Sequence, residues 1–304
     1  MLKQLVIDYL KARRALGFEL EAPERMLHDF VHFAMARGEE HVRAATAIDW
    51  AAQGSTAGAR HHRLQSLVLF ARHVRAEDPR HEVPSSHVFP RVPRQLMPHI
   101  YSHDEARRLV DAASTLGPPS SLRVLTGRTL FALLFATGVR ISEAVALDLD
   151  DVRSDGLLVR KTKFHKTRIV PLHDSARRGL EEYLVRRRAI STSPQSLFIG
   201  ARGQRLADTS ARKMFEHMRR AAELERPPGQ PQPRIHDIRH TFAVRALEAC
   251  PDGRDHVAQH MLALATYLGH THVADTYWYL QATPRLMRDI ADRVRVSFAK
   301  GGRT

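Results

Sequence analysis

Four short stretches of this chain collect the side chains that could do chemistry. They are ATGVRISEAVAL around Arg140, KTKFHKTRIVPL around Lys163, HDIRHTFA from His236 to Ala243, and YLGHTHVADTYWYL from Tyr267 to Leu280. The first and third each supply an arginine, Arg140 and Arg239, and a guanidinium stays charged and offers a rigid fork matched to phosphate oxygens. The second holds Lys161, Lys163 and Lys166; an ammonium can surrender a proton, the more readily when desolvated, and so can serve a departing oxygen. His236 and Arg239 are three residues apart, so on a helix they share one face. The fourth stretch offers Tyr267, Tyr277 and Tyr279 as phenols, and at about 100° per residue a helix would point the last two in opposing directions. Together these groups suit attack on a phosphodiester, where charge gathering on the non-bridging oxygens must be met by fixed cations if no metal is present.

A metal reading competes at one of these stretches. His236 to His240 reads H-D-x-x-H, close to the H-E-x-x-H zinc motif, and His256 and His260 repeat the four-residue step. Asp237 is a methylene shorter than the glutamate that motif requires, and Arg239 would set a cation beside the ion. The expectation is therefore no metal and no cofactor, and no P-loop pattern occurs in the chain.

The elements that must position these residues can be read from pattern. Ser102 and Glu105 form a capping-box signature opening a helix through about Ser114, and a second helix should fill Arg123 to Thr137 and stop at Gly138. Residues 157–172 alternate and are β-branched enough for a hairpin with Lys163 to Lys166 near its turn. Upstream, Leu64, Leu67, Val68, Ala71 and Val74 recur at helical spacing as one buried face. Arg60, Arg63, Arg72 and Arg75 decorate the same helix, and no acid occurs from Trp50 to Ala76, which makes these arginines candidates for tracking a phosphate backbone. At the other end, residues 284–298 start with proline and place Leu286, Ile290, Val294 and Phe298 in a narrow apolar stripe.

Five of the 16 prolines fall between Pro79 and Pro98, where each removes a backbone donor and favours extended structure. This stretch divides a helical domain, 1–90, from a second domain at 98–304 by a linker at 91–97. Charge is unequal across it: 12 Lys/Arg face 11 Asp/Glu in residues 1–90, against 35 and 22 beyond. The whole chain carries a formal +14, which points to a polyanion, nucleic acid foremost. The longest apolar run, Leu130 to Val139, is about half of what a ~20-residue membrane span needs, and the first residues lack a signal-peptide core. One cysteine, Cys250, cannot close a disulfide within the chain, in keeping with a cytoplasmic protein.

In this order the four stretches closely resemble the tyrosine recombinases, the phage-integrase family that includes the bacterial Xer proteins, over the whole of 98–304. The region before them is similar to that family's core-binding domain. The resemblance implies a mainly α fold with a small β-sheet: a helical DNA-binding domain and an α+β catalytic domain clamping duplex DNA. It implies Arg140 and Arg239 as the phosphate-holding pair, Lys163 as the proton donor just before the K-x-R-x-V-P-L register of Lys166 and Arg168, which join the candidate DNA-binding cations, and His236 as acceptor or relay of the tyrosine proton. His270 in Leu-Gly-His then contacts a non-bridging oxygen and Tyr279, nine residues on, is the nucleophile; Tyr267 is left to the core. Ile141 stands where many relatives have Leu, a conservative departure.

Implied partners are double-stranded DNA with an inverted-repeat site, a homotetramer on DNA, and possible second recombinases or accessory proteins, with the helix at 284–298 docking on a neighbouring protomer. Two alternatives share parts of this pattern. A type IB topoisomerase would rejoin the original strand, and a DNA-binding protein without catalytic activity would need only the charge and the helical domain.

Overall fold

The computed structural model describes residues 2–90, 97–160, 167–190, 195–227, 229–249, 254–269 and 276. The chain divides into two compact units, one ending at Leu96 and the other starting at Met97, within the proline-rich stretch.

The first unit is built from α1 (Leu2–Ala15), α2 (Glu21–Met35), α3 (Ala44–Ala52) and α4 (Ala57–Glu77). Thr56 opens α4 by accepting the Ala59 N–H at 3.1 Å, satisfying one of the donors a helix start leaves unpaired. Leu64, Leu67, Val68, Ala71 and Val74 are all buried in one core with Phe30, Trp50 and Phe70, each large aliphatic contributing roughly 1.5–3 kcal/mol on burial. On the outer side Arg60, Arg72 and Arg75 are exposed. Arg60 also donates from Nε to the Gly54 carbonyl (2.9 Å). Arg63 is engaged within the unit: it lies over the Trp50 ring at 4.3 Å and pairs with Asp29 at 2.7 Å.

After α4 the chain turns back and is clasped to the segment between α2 and α3. The Glu82 N–H donates to the Val42 carbonyl (2.8 Å), while its carboxylate accepts from the Ala44 N–H (2.8 Å) and Arg43 (3.0 Å). His41, Asp78 and His81 gather here as the one metal-type cluster among the described residues. The Val42 N–H donates to His81 Nδ1 at 3.0 Å, so the neutral ring carries its proton on Nε2, and Arg80 forks onto both Asp78 oxygens. With those acceptors already engaged, the cluster acts as a clasp and makes a poor cation cage.

In the second unit α5 (His103–Asp111) opens on the expected capping box: Glu105 N–H to Ser102 Oγ at 3.1 Å, Ser102 N–H to Glu105 Oε2 at 2.7 Å. The α-helix is shorter than expected, passing into a 3-10 turn over Ala112–Leu116. Ser114 and Thr115 bond back to the Asp111 and Ala112 carbonyls at 2.8 and 2.7 Å, and such local bonds compete with helix continuation. Then come α6 (Leu122–Thr137), α7 (Ile141–Ala146), β1 (Val152–Arg153), β2 (Gly156–Val159), β3 (Arg168–Val170), α8 (Asp174–Ile190), α9 (Asp208–Ala221), α10 (Ile235–Glu248) and α11 (Arg254–Leu268).

The strands form one antiparallel sheet in the order β1-β2-β3, with Leu157 opposite Val170 and Val159 opposite Arg168. The expected hairpin is thus β2 and β3, with β1 added at the edge. Leu157, Val159 and Val170 join a core that also takes Leu130, Phe131 and Leu134 of α6. A smaller cluster joins α10 to α11 through Val244, Leu247, Met261, Leu264 and Leu268. Among the described residues no helix is long and apolar enough to cross a membrane.

Candidate active site

The site begins where α6 stops. Gly138 caps that helix in the left-handed conformation (φ +63°), and its N–H closes on the Leu134 carbonyl at 2.9 Å. A side chain here would be strained, and an added Cβ would come within 2.5 Å of the Phe242 ring on α10. This close approach sets Arg140, two residues later, beside α10. Arg140 has extended backbone and immediately precedes α7.

Three residues into α7 sits Glu143, to which the sequence reading gave no role. Its carboxylate accepts from the Arg140 N–H (2.9 Å) and Arg140 Nη1 (2.8 Å), and also takes both ends of the Arg168 guanidinium at 3.2 and 2.8 Å. Burial would push this carboxyl up, but the hydrogen bonds and charge of Arg168, and then Arg140, outweigh it and hold it down at about 2. Glu143 therefore stays ionised and aims two arginines. The signal available in sequence was the three-residue step from Arg140 in R-I-S-E, which on a helix is contact spacing.

Arg168 starts β3 and, expected among the DNA-facing cations, is turned inward with only 11% of its side chain exposed. Its other side lies against Gly269, where φ is +68° and an added Cβ would come within 3.0 Å of Nη1. Arg168 thus links Glu143 to the residue just before His270.

His236 and Arg239 come from the first turns of α10. Arg239 is buried, donating from Nη1 to the Gly138 carbonyl at 2.9 Å and from Nη2 to the Leu268 carbonyl at 2.5 Å. It therefore gathers the turn before Arg140 and the end of α11. Burial first, then the positive charges of Arg239 and Arg140, lower the His236 imidazole from 6.5 to about 4, so it is neutral at pH 7 and able to accept a proton. Among the described residues no third His, Cys, Asp or Glu gathers with the H-D-x-x-H pair: His236 and His240 pack edge to face at 4.7 Å, and Asp237 is held by the Arg234 N–H (2.8 Å) and Nη2 (2.9 Å). His260 Nε2 contacts the Ala246 carbonyl at 2.7 Å.

Tyr267 stacks on Phe242 at 5.3 Å, and burial pushes its phenol up to about 12. Lys163, Lys166, His270, Tyr277, Tyr279 and the helix expected at 284–298 lie outside the described residues.

The site thus joins guanidinium groups from the α6–α7 turn, β3 and α10 around a neutral imidazole and one ionised carboxylate. Such an array suits an anionic ester whose charge grows during reaction. The Phage integrase family profile matches residues 100–285. Over 302 residues, the chain is 37% identical to a Sinorhizobium fredii protein named integrase/recombinase y4rB, with 96% of each chain covered. It is 33% identical over 204 residues to the tyrosine recombinase XerC of Mycobacterium tuberculosis, covering 66% of this chain and 64% of that one.

Among solved structures, its fold is similar to the XerH site-specific recombinase in a post-cleavage complex with palindromic difH substrate. That match has a TM-score of 0.64 and 18% identity, covering 96% of this chain and 84% of that one. It is also similar to the Tn1549 transposon integrase in complex with transposon right-end DNA, with a TM-score of 0.65 and 15% identity over 97% and 99% of the chains. The chain belongs to the phage integrase family. It is a tyrosine recombinase, a site-specific enzyme that breaks and rejoins DNA.

Proposed function

We propose that Tyr279 cleaves each strand by attacking the scissile phosphodiester: the Tyr279 oxygen bonds to phosphorus, the bond to the 5′ oxygen breaks, and a 3′-phosphotyrosyl linkage remains. Arg140, Arg239 and His270 hold the non-bridging oxygens as their charge grows. Neutral His236 accepts or relays the phenolic proton, and Lys163 delivers a proton to the departing 5′ oxygen. Attack by a 5′ hydroxyl reverses these transfers and reseals the strand. The ester's energy is kept in the phosphotyrosyl bond, so neither a metal nor a nucleotide cofactor is needed.

The substrate is duplex DNA carrying an inverted-repeat site, bound by four copies of the chain. Arg60, Arg72, Arg75 and Lys166 are the cations we assign to its backbone. Assembly is coupled to cleavage by the segment 284–298 docking on a neighbour. A second recombinase or an accessory protein could occupy places in the same assembly.

The observation that most supports this reading is Arg239 bonded at once to Gly138, two residues before Arg140, and to Leu268, two residues before His270. It ties the turn before Arg140 to the end of α11. Replacing the scissile 5′ oxygen by sulfur tests the proton-donor role, since a thiolate leaves without protonation. Lys163→Ala should fail on ordinary DNA and recover cleavage on the sulfur-substituted duplex. Equal failure on both would remove Lys163 from that role.

A further inference from the structure

The second unit begins with a short strap, residues 97–102, that is fastened to α10 at both ends of the helix's active stretch. The Tyr101 N–H donates to Thr241 Oγ1 at 3.0 Å, its phenol donates to the Arg234 carbonyl at 3.3 Å, and its own carbonyl accepts from Arg245 Nη2 at 2.7 Å. Thr241 Oγ1 is in turn a donor to the Asp237 carbonyl (2.9 Å). Both donor and acceptor capacity of this buried hydroxyl are therefore in use. Arg234, Thr241 and Arg245 bracket His236 and Arg239 along the chain.

The same tyrosine touches the other helix that delivers a site residue. Tyr101 is 1% exposed and meets Phe135 of α6 edge to face at 5.4 Å, three residues before the Gly138 cap. Ile100 packs against the apolar cluster joining α10 to α11. His99 extends the fastening: its ring packs on Tyr101 at 4.6 Å, Nδ1 contacts Arg226 Nη2 at 2.8 Å, and Nε2 lies 3.2 Å from Glu105. The strap's bonds run to residues that flank His236 and Arg239 along α10 and to the end of α6, which suits it to fix where these two elements meet.

We propose that Tyr101, through Thr241, Arg234 and Arg245, is a positioning residue for DNA cleavage: the strap sets α10 so that His236 and Arg239 meet the phosphate held by Arg140. The proposal rests on the recombinase reading above. A shift on the order of 1 Å at a catalytic group can cost about a hundredfold in rate.

The test uses the full chain and single-turnover covalent attachment to a nicked suicide duplex at saturating DNA. Thr241→Val keeps the shape but loses both hydrogen bonds, whereas Thr241→Ser keeps them; Arg245→Gln and Arg245→Lys form a second pair. Thr241→Val and Arg245→Gln should slow attachment at least about ten-fold while DNA affinity stays within about two-fold, and Thr241→Ser and Arg245→Lys should largely restore the rate. Each variant is assayed well below its own melting temperature. If Thr241→Val does not fold, the arginine pair decides. Wild-type rates in Thr241→Val and Arg245→Gln, or affinity falling in step with rate, would overturn the proposal. Failure of the wild-type protein itself to form an adduct would instead count against the recombinase reading.

Discussion

Glu143 shows what a single residue does in this site. Removing it leaves Arg140 and Arg168 facing each other without their shared acceptor, and breaking such a largely buried pair costs on the order of 3 kcal/mol. Glu143→Ala should therefore lower stability in urea by about that amount and slow covalent attachment, as both guanidiniums lose their aim. The acid limb carries a second signature. The Glu143 carboxyl is held at about 2 in the folded chain against an ordinary 4.5, so its contribution is present above about 4.5 and lost as pH falls toward about 2; Glu143→Ala should flatten that part of the stability profile. His236 adds loss at milder pH. Its folded value of about 4 lies below 6.5, so between these values the unfolded chain takes up a proton that the folded one refuses, and stability falls as pH drops through that window. Arg140, His236 and Arg239 could be grouped from sequence because their motifs are short and local, and the structure sets both guanidinium charges near the His236 ring. Glu143 could not, because a glutamate at the third position of a helix is also what an ordinary exposed helix start contains. Arg168 was counted among the DNA-binding cations from its motif, and its pairing with Glu143 crosses from β3 to α7, a contact that no local pattern announces.

At the scale of elements, the positions that matter are the ends of helices. Gly138 needs its left-handed conformation and also lies against Phe242, so Gly138→Ala adds overpacking of about 1–3 kcal/mol to about 1 kcal/mol of backbone strain. Gly17 is the control: φ is +85°, but nothing lies within 4 Å of an added Cβ, so Gly17→Ala should cost only the backbone part. Thermal or urea unfolding of the two variants checks the difference, and equal losses would show that the Phe242 contact is easily relieved. The α6 stop at Gly138, the capping box at Ser102 and the buried stripe of α4 were all readable, because each is a rule about neighbours within a few residues. The 3-10 turn after α5 and the edge strand β1 were not. The first depends on hydroxyl back-bonds, the second on pairing with β2, and neither leaves a periodic trace.

At the scale of the molecule, two units are joined through a proline-rich stretch, and the charge excess lies in the second. Prolines and charge leave a trace along the sequence near the boundary between Leu96 and Met97, whereas the strap on α10 joins residues 140 positions apart and leaves no local sign. Deleting 284–304 should leave single-site DNA binding intact while weakening assembly of paired sites and recombination. A collapse of the melting temperature would instead assign the stripe of Leu286, Ile290, Val294 and Phe298 to the protein's own core. On the proposed mechanism one phenol, that of Tyr279, becomes covalently joined to DNA beside the arginine cluster. The most direct measurement incubates wild-type, Tyr277→Phe and Tyr279→Phe proteins with a labelled suicide duplex, with and without EDTA, and resolves adducts after denaturation. Wild-type and Tyr277→Phe should form the adduct equally with or without chelator, and Tyr279→Phe should bind DNA within a few-fold yet form none. An adduct from Tyr279→Phe would rule out this nucleophile, and complete loss of the wild-type adduct in EDTA would rule out metal-free cleavage.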